Sequence, residues 1–137
     1  MITREDYFGP WLHHRDVTGN VQANSDKLLS ACRCLEDEMV KADIVFPTNP
    51  ATKTGVAGKT YGGFRPQDCS QGAPHSAHKE GLAVDRWDPL GEIDGWLMKN
   101  PEALKRHGIY IEHPSKTDTW SHWSIRAPAS GQHVFYP

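Results

Sequence analysis

The longest regular pattern runs through "TGNVQANSDKLLSACRCLEDEMVKAD", Thr18 to Asp43. Leu28, Leu29, Cys32, Leu35 and Met39 recur at helical spacing there and build one apolar face. This predicts the main helix, with Asn24 or Ser25 as its N-cap. "DIVFP" then reads as a short strand stopped by Pro47. Residues 48–60, "TNPATKTGVAGKT", are Thr-, Gly-, Asn- and Pro-rich and predict a long loop, a place where function often sits. "YGGFR" reads as a short strand or strand end, and "PQDCSQGAPHS" as another loop. In "GLAVDRW", alternation puts Ala83 and Asp85 on one face of a strand and Leu82 and Val84 on the other. Asp88 is placed to cap a helix beginning at Pro89 and running through "LGEIDGWLMKN". "PEALKRHG" predicts a second short helix. "IYIE" and "TWSHWSI" read as a hairpin across the polar turn "HPSKTD". The tail "RAPASGQHVFYP" shows no regular pattern. Helices followed by short strands predict an α+β fold: a small antiparallel sheet with flanking helices.

The chain has 137 residues, the size of one domain. We divide it into a helical part at about 1–42, a core at about 43–127 and a tail at 128–137. Its net charge of −2 offers no basic footprint for nucleic acid. No apolar run approaches the roughly 18 residues of a membrane span. The opening "MITREDYFGPWLHH" lacks the apolar stretch of a secretory signal. Synthesis in the cytoplasm as a monomer is the resulting expectation. The three cysteines, Cys32, Cys34 and Cys69, make an odd number, which argues against a disulfide framework. Cys32 and Cys34 fall on different sides of the predicted helix, which does not suit a zinc knuckle.

One position breaks the pattern. Asp85 lies on a strand face where a buried, unpaired carboxylate would be costly. A cation would resolve that cost. His78 precedes the strand, Gly81 allows a sharp bend between them, and the small Ala83 leaves space. In "TWSHWSI", alternation groups Trp120, His122 and Ser124 and turns Trp123 and Ile125 the other way. His78, Asp85 and His122 together are a mixed imidazole and carboxylate set that suits Zn2+ with one position open to water. His13, His14, His75, His107, His113 and His133 read as solvated. Trp123 reads as core, and Trp87 and Trp96 as core or its edge.

The stretch "SAHKEGLAVD" resembles the Ser-x-His-x-x-Gly-x-Ala-x-Asp pattern of the zinc D-alanyl-D-alanine carboxypeptidase and L-alanyl-D-glutamate endopeptidase family. "GGFRP" is similar to that family's Gly-aromatic-Arg segment, and His122 stands where its downstream histidine ligand would. The likeness spans about Tyr61 to Ile125, and the long helix before it suits the family's layout. With "GGFRPQDC" and the "P-x-SG" tail, the chain looks most like small phage or prophage endolysins. The resemblance implies a DD-peptidase/hedgehog-like zinc peptidase fold with His78, Asp85 and His122 as ligands. It implies that Arg65 meets a substrate carbonyl, carboxylate or oxyanion, and that Ser76 orients the ligand loop or the substrate. Trp120 is placed to shape the groove. The implied reaction is hydrolysis of amide bonds in peptidoglycan stem peptides, with holin-type release to the wall. Well-known members carry a catalytic glutamate three residues before the last histidine. Here that residue is Thr119. Glu112, across the hairpin from His122, is the favoured substitute, and Asp118 the other candidate. The rival reading is a zinc-containing protein without activity that grips peptidoglycan or builds a phage particle.

Overall fold

A computed structural model describes residues 1–137. Helix α1 (Arg4–Phe8) is held at its start by a reciprocal bond pair between Thr3 and Asp6. Helix α2 (Gly19–Lys41) is the long one. Its N-cap is Thr18, whose hydroxyl accepts from Val21 N–H at 3.3 Å. Asn24 and Ser25, the expected caps, lie nearly two turns further in. Asn24 instead donates to Glu80 O at 2.9 Å, and Ser25 bonds back to Gln22 O. Val21, Leu28, Cys32, Leu35 and Met39 are buried along one stripe.

Strand β1 (Ala83–Trp87) follows a long irregular stretch. Helices α3 (Glu92–Lys99) and α4 (Pro101–His107) come next, then β2 (Tyr110–Glu112), β3 (Trp120–Ser124) and β4 (Val134–Phe135). The sheet order is β1-β3-β2-β4. The first two pairings are antiparallel and β2–β4 is parallel. The fold is therefore α+β, but the sheet is mixed rather than wholly antiparallel. The parallel strand is the tail, which crosses back after β3 to lie on the free edge of β2.

Two further expectations are corrected. "DIVFP" forms no strand. Ile44 N–H is spent on Met39 O, closing the end of α2, and Pro47 has no N–H to offer a ladder. Phe46 instead packs its ring edge-on to Trp123 at 6.1 Å. Helix α3 starts at Glu92, not Pro89. Asp88 nonetheless caps it, its carboxylate accepting from the N–H groups of Ile93 and Asp94 at 3.0 Å each.

The two faces of the sheet differ sharply. Val84, Ile111 and Trp123 point inward and are fully buried against α2 and α3 residues such as Leu28, Leu35, Ile93 and Leu97. Arg86 also points inward. Its guanidinium meets Glu36 of α2 at 3.2 Å and lies between the rings of Phe46 and Trp123. Buried charge is tolerated because it is paired and faces aromatic rings. The opposite face carries Ala83, Asp85 and Trp87 on β1, and Trp120, His122 and Ser124 on β3.

Candidate metal centre

β1 and β3 are locked in a register that sets Asp85 directly opposite His122. His122 Nδ1 lies 2.9 Å from Asp85 Oδ1, and His78 Nε2 lies 3.3 Å from the same oxygen. One ligand atom from each of the three residues falls within 4.8 Å of the others. A tetrahedral ion with bonds of about 2.05 Å separates its ligands by about 3.3 Å, so these spacings suit zinc after small adjustments. All three side chains are buried. The donor set fits the ion implied by the sequence pattern.

His78 reaches this point from a turn, not from the sheet. Its Nδ1 is 2.8 Å from Gly63 O. That carbonyl is an acceptor, so Nδ1 carries a proton and Nε2 is the nitrogen turned to the centre. Gly63 can present the carbonyl because the Gly62–Gly63 pair presses against neighbouring backbone. A side chain at Gly63 would strike Tyr7 O, and one at Gly62 would strike Ala57 O. "YGGFR" is thus not a strand but a bend clamped beside β1, with Gly62 O accepting from Asp85 N–H at 2.7 Å.

Gly81 makes the turn from His78 into β1. Its φ is +77°, and a Cβ there would lie 2.7 Å from Val21 O on α2. Gly81→Ala is therefore expected to cost roughly 2–4 kcal/mol, from left-handed strain plus displacement of the turn. Denaturant unfolding would check this, and an unchanged midpoint would refute the close packing of the turn on α2.

Arg65 sits at the centre's edge. Its guanidinium donates to Asp85 Oδ2 at 3.2 Å, and its Nε to Tyr61 O at 2.7 Å. Each oxygen of Asp85 is thus assigned: Oδ1 faces the imidazoles and Oδ2 the arginine. Burial pushes the Asp85 carboxyl up. The charge of His78, bonds from both histidines and the charge of His122 outweigh that and hold it well below the usual carboxylate range. His122 shows the reciprocal effect. Burial lowers it, but Asp85 and then Glu112 raise it above the ordinary histidine value.

The inner face keeps β3 in place. Ser121 and Thr117 hydroxyls donate to Asp94 of α3, and Trp123 Nε1 donates to Ser121 Oγ. Burial pushes the Asp94 carboxyl up to about 6, the two hydroxyls and His122 opposing and Asp88 assisting. The folded value exceeds the unfolded one, so the folded state binds more protons between pH 4 and pH 6. Asp94's contribution is full below about 4 and is lost as pH rises through about 6. Asp94→Asn should therefore gain stability relative to the native chain by about 1–2 kcal/mol between pH 4.5 and 7.5. Thermal melts across that range would show it, and parallel pH profiles would count against it.

A cleft of about 500 Å³ opens over the centre. Arg65, Ser76, Glu112, Trp120 and Phe135 all line it with the three ligands. Glu112 extends one rung of the sheet. Tyr110 faces Ser124 and Ile111 faces Trp123, so the next step sets Glu112 beside His122. Asp118 lies exposed at the turn before β3 and lines no part of this cleft. Cys69 points elsewhere, its sulfur accepting from Gln71 N–H, and Cys32, Cys34 and Cys69 are all free thiols. The reading from sequence overlooked Phe135, whose ring stands edge-on to His122 at 6.3 Å. It also overlooked Lys79, buried within the motif, whose ammonium ties down the preceding loop through Gln67 O and Cys69 O. No helix is long and apolar enough to cross a membrane. No family model matches the chain, and no curated protein or solved structure matches it.

Proposed function

We propose that the protein is a zinc-dependent peptidase that hydrolyses amide bonds in peptidoglycan stem peptides, as a phage or prophage lysis enzyme. The observation that carries this reading is the single rung Asp85–His122–Glu112, with His78 beside it and a cleft above. Metal ligands and a free carboxylate then share one small volume. The resemblance of the "SAHKEGLAVD" and "GGFRP" segments to that family's pattern supports the substrate class.

His78 Nε2, Asp85 and His122 would hold zinc, which supplies a Lewis acid with a position left for solvent. Glu112 takes a proton from the attacking water and delivers it to the leaving amine. The C–N bond breaks, the carbonyl carbon gains the hydroxyl, and the amine leaves with the transferred proton. Arg65 fixes Asp85 through Oδ2 and orients it for coordination. Arg65 also lines the cleft, where a substrate carbonyl or carboxylate oxygen would meet its guanidinium. Ser76 lines the same wall.

Thr119, standing where relatives of this pattern carry an acid, favours a second reading: a zinc-containing module that grips peptidoglycan without cutting it. Zymography on purified cell walls, with metal analysis and mass spectrometry of products, decides between them. Clearing and new amine termini are expected from the zinc-loaded chain. Binding without any new terminus would replace the peptidase with the binder.

A further inference from the structure

Lys79 follows the ligand His78 in the chain and is only 3% exposed. Its ammonium donates to Gln67 O at 3.1 Å and to Cys69 O at 2.9 Å. Both partners are neutral carbonyls rather than a carboxylate. Burying an ammonium on two such bonds is costly, and an unbranched apolar side chain would fill the space without that cost. Lys79 lines no part of the cleft over the centre, so it does not meet substrate there. Its effect passes through the loop it holds.

That loop, residues 66–72, surrounds Arg65. It leaves the Arg65 backbone at Pro66 and closes a turn in which Cys69 N–H donates to Pro66 O at 3.0 Å. It then comes back over the guanidinium at Gly72. The φ of Gly72 is +82°, and a Cβ there would lie 3.1 Å from Arg65 Nη1 and 3.2 Å from Ser76 Cβ. The loop is thus a collar, entered at the backbone of Arg65 and closed over its head group. On the outside Asp16 fastens it, accepting from Gln67 N–H at 2.9 Å. On the inside the fastening is Lys79. Arg65 N–H also donates to His78 O at 3.3 Å, so the collar and the ligand turn are joined at two successive residues. The collar borders two clefts. Gly72 lines the one over the centre, Gln71 lines a second of about 740 Å³ beside it, and Arg65 lines both. An arginine stem has many rotamers, and only a confined one holds Asp85 Oδ2 and Tyr61 O together.

We propose that Lys79 is a positioning residue for the metal centre: its buried ammonium fixes the collar, and the collar aims Arg65 at Asp85. This rests on the zinc peptidase reading above and adds to it a residue that touches neither the ion nor the substrate.

Lys79→Met tests the assignment, because it keeps an unbranched stem and removes the donors. The first readout is the NMR signal of Arg65 Nε–H, which is bonded to Tyr61 O at 2.7 Å. In the native chain it should be dispersed and slow to exchange. In Lys79→Met it should move to the position of free arginine side chains. The second readout is zinc affinity, measured by competition with a chelating dye. Lys79→Met should lower it about tenfold, the scale of an outer-shell contact. Added to Arg65→Met, the same change should cost no more than about twofold. A general loosening of the fold would weaken zinc equally in both backgrounds. Gly72→Ala reaches the guanidinium from the same collar with no buried charge to lose. It should shift the Arg65 signal and lower zinc affinity about threefold or more, again only while Arg65 is present. An unmoved Arg65 signal in Lys79→Met, or equal zinc losses in the two backgrounds, overturns the assignment. Where Lys79→Met does not fold, an unmoved signal in Gly72→Ala overturns it. Cell-wall substrate left uncut by the native chain, with the zinc losses still non-additive, overturns the peptidase reading and upholds Lys79. A native chain that binds no zinc overturns the metal reading, and the Arg65 signal alone then decides whether Lys79 aims that side chain.

Discussion

Glu112→Gln is expected to lower kcat on cell-wall substrate by about 10²–10⁴-fold, the range removed with a general base. Zinc content should stay at one ion per chain, because Glu112 is not among the three clustered ligands. The substitution keeps shape and removes only the ability to take a proton. Its structural effect should be small, since Glu112 is a half-buried strand end on the outer face. KM should change less than kcat, because the lost interaction is made with the reacting water and not with ground-state substrate. Asp118→Asn is the matched control. Asp118 lies exposed outside the cleft, so its loss should leave kcat within about twofold, as for a surface change remote from the site. A large drop from Asp118→Asn with little from Glu112→Gln would reverse the assignment of the base.

The second large effect concerns the metal. A zinc-loaded chain should melt well above the stripped one, because the ion binds the folded ligands and not a scattered set. With zinc at about 1,000 times Kd the gain is about 4 kcal/mol. At this chain size that corresponds to roughly 10–15 °C in Tm. Asp85→Ala should abolish the shift and also weaken the stripped protein. The carboxylate is met by His78, His122 and Arg65 within 3.3 Å, and its removal strands those groups in a buried setting at about 3–5 kcal/mol. Arg65→Met should act more gently, reducing zinc affinity by about 10–100-fold through loss of the Oδ2 contact. A zinc-dependent shift that survives in Asp85→Ala would place the ion elsewhere.

How much of this was legible beforehand follows from local physics. Strand alternation has a period of two, so the grouping of Asp85 with Ala83, and of His122 with Trp120 and Ser124, could be read directly. The hairpin register likewise carried Glu112 to His122. Convergence on His78 came from the motif and from a glycine that no other residue could replace. What stayed hidden depended on distant backbone. β4 is two residues long and exists because β2 offers an open edge, a fact no tail pattern encodes. The misread strand at Ile44–Phe46 had strand-like residues but no neighbour to pair with. Asp88 was read correctly as a cap, while the helix began later because the intervening turn closes through Gly91 N–H to Asp88 O. The grip of Arg65 on Asp85 spans 20 positions and left no mark on either segment. Trp87 was placed at the core or its edge, whereas it forms half of the outer aromatic pair.

The division of labour between the two sides of β1 has a practical meaning. Val84 and Arg86 anchor the strand to α2 and Trp123, while Asp85 and Trp87 turn to the clefts on the other face. The half-buried Trp87 and Trp120, which border the clefts beside the candidate metal centre, can thus be varied as an independent module. Libraries diversified there should yield folded members at a far higher frequency than libraries of equal size drawn from the neighbouring even-numbered residues of β1.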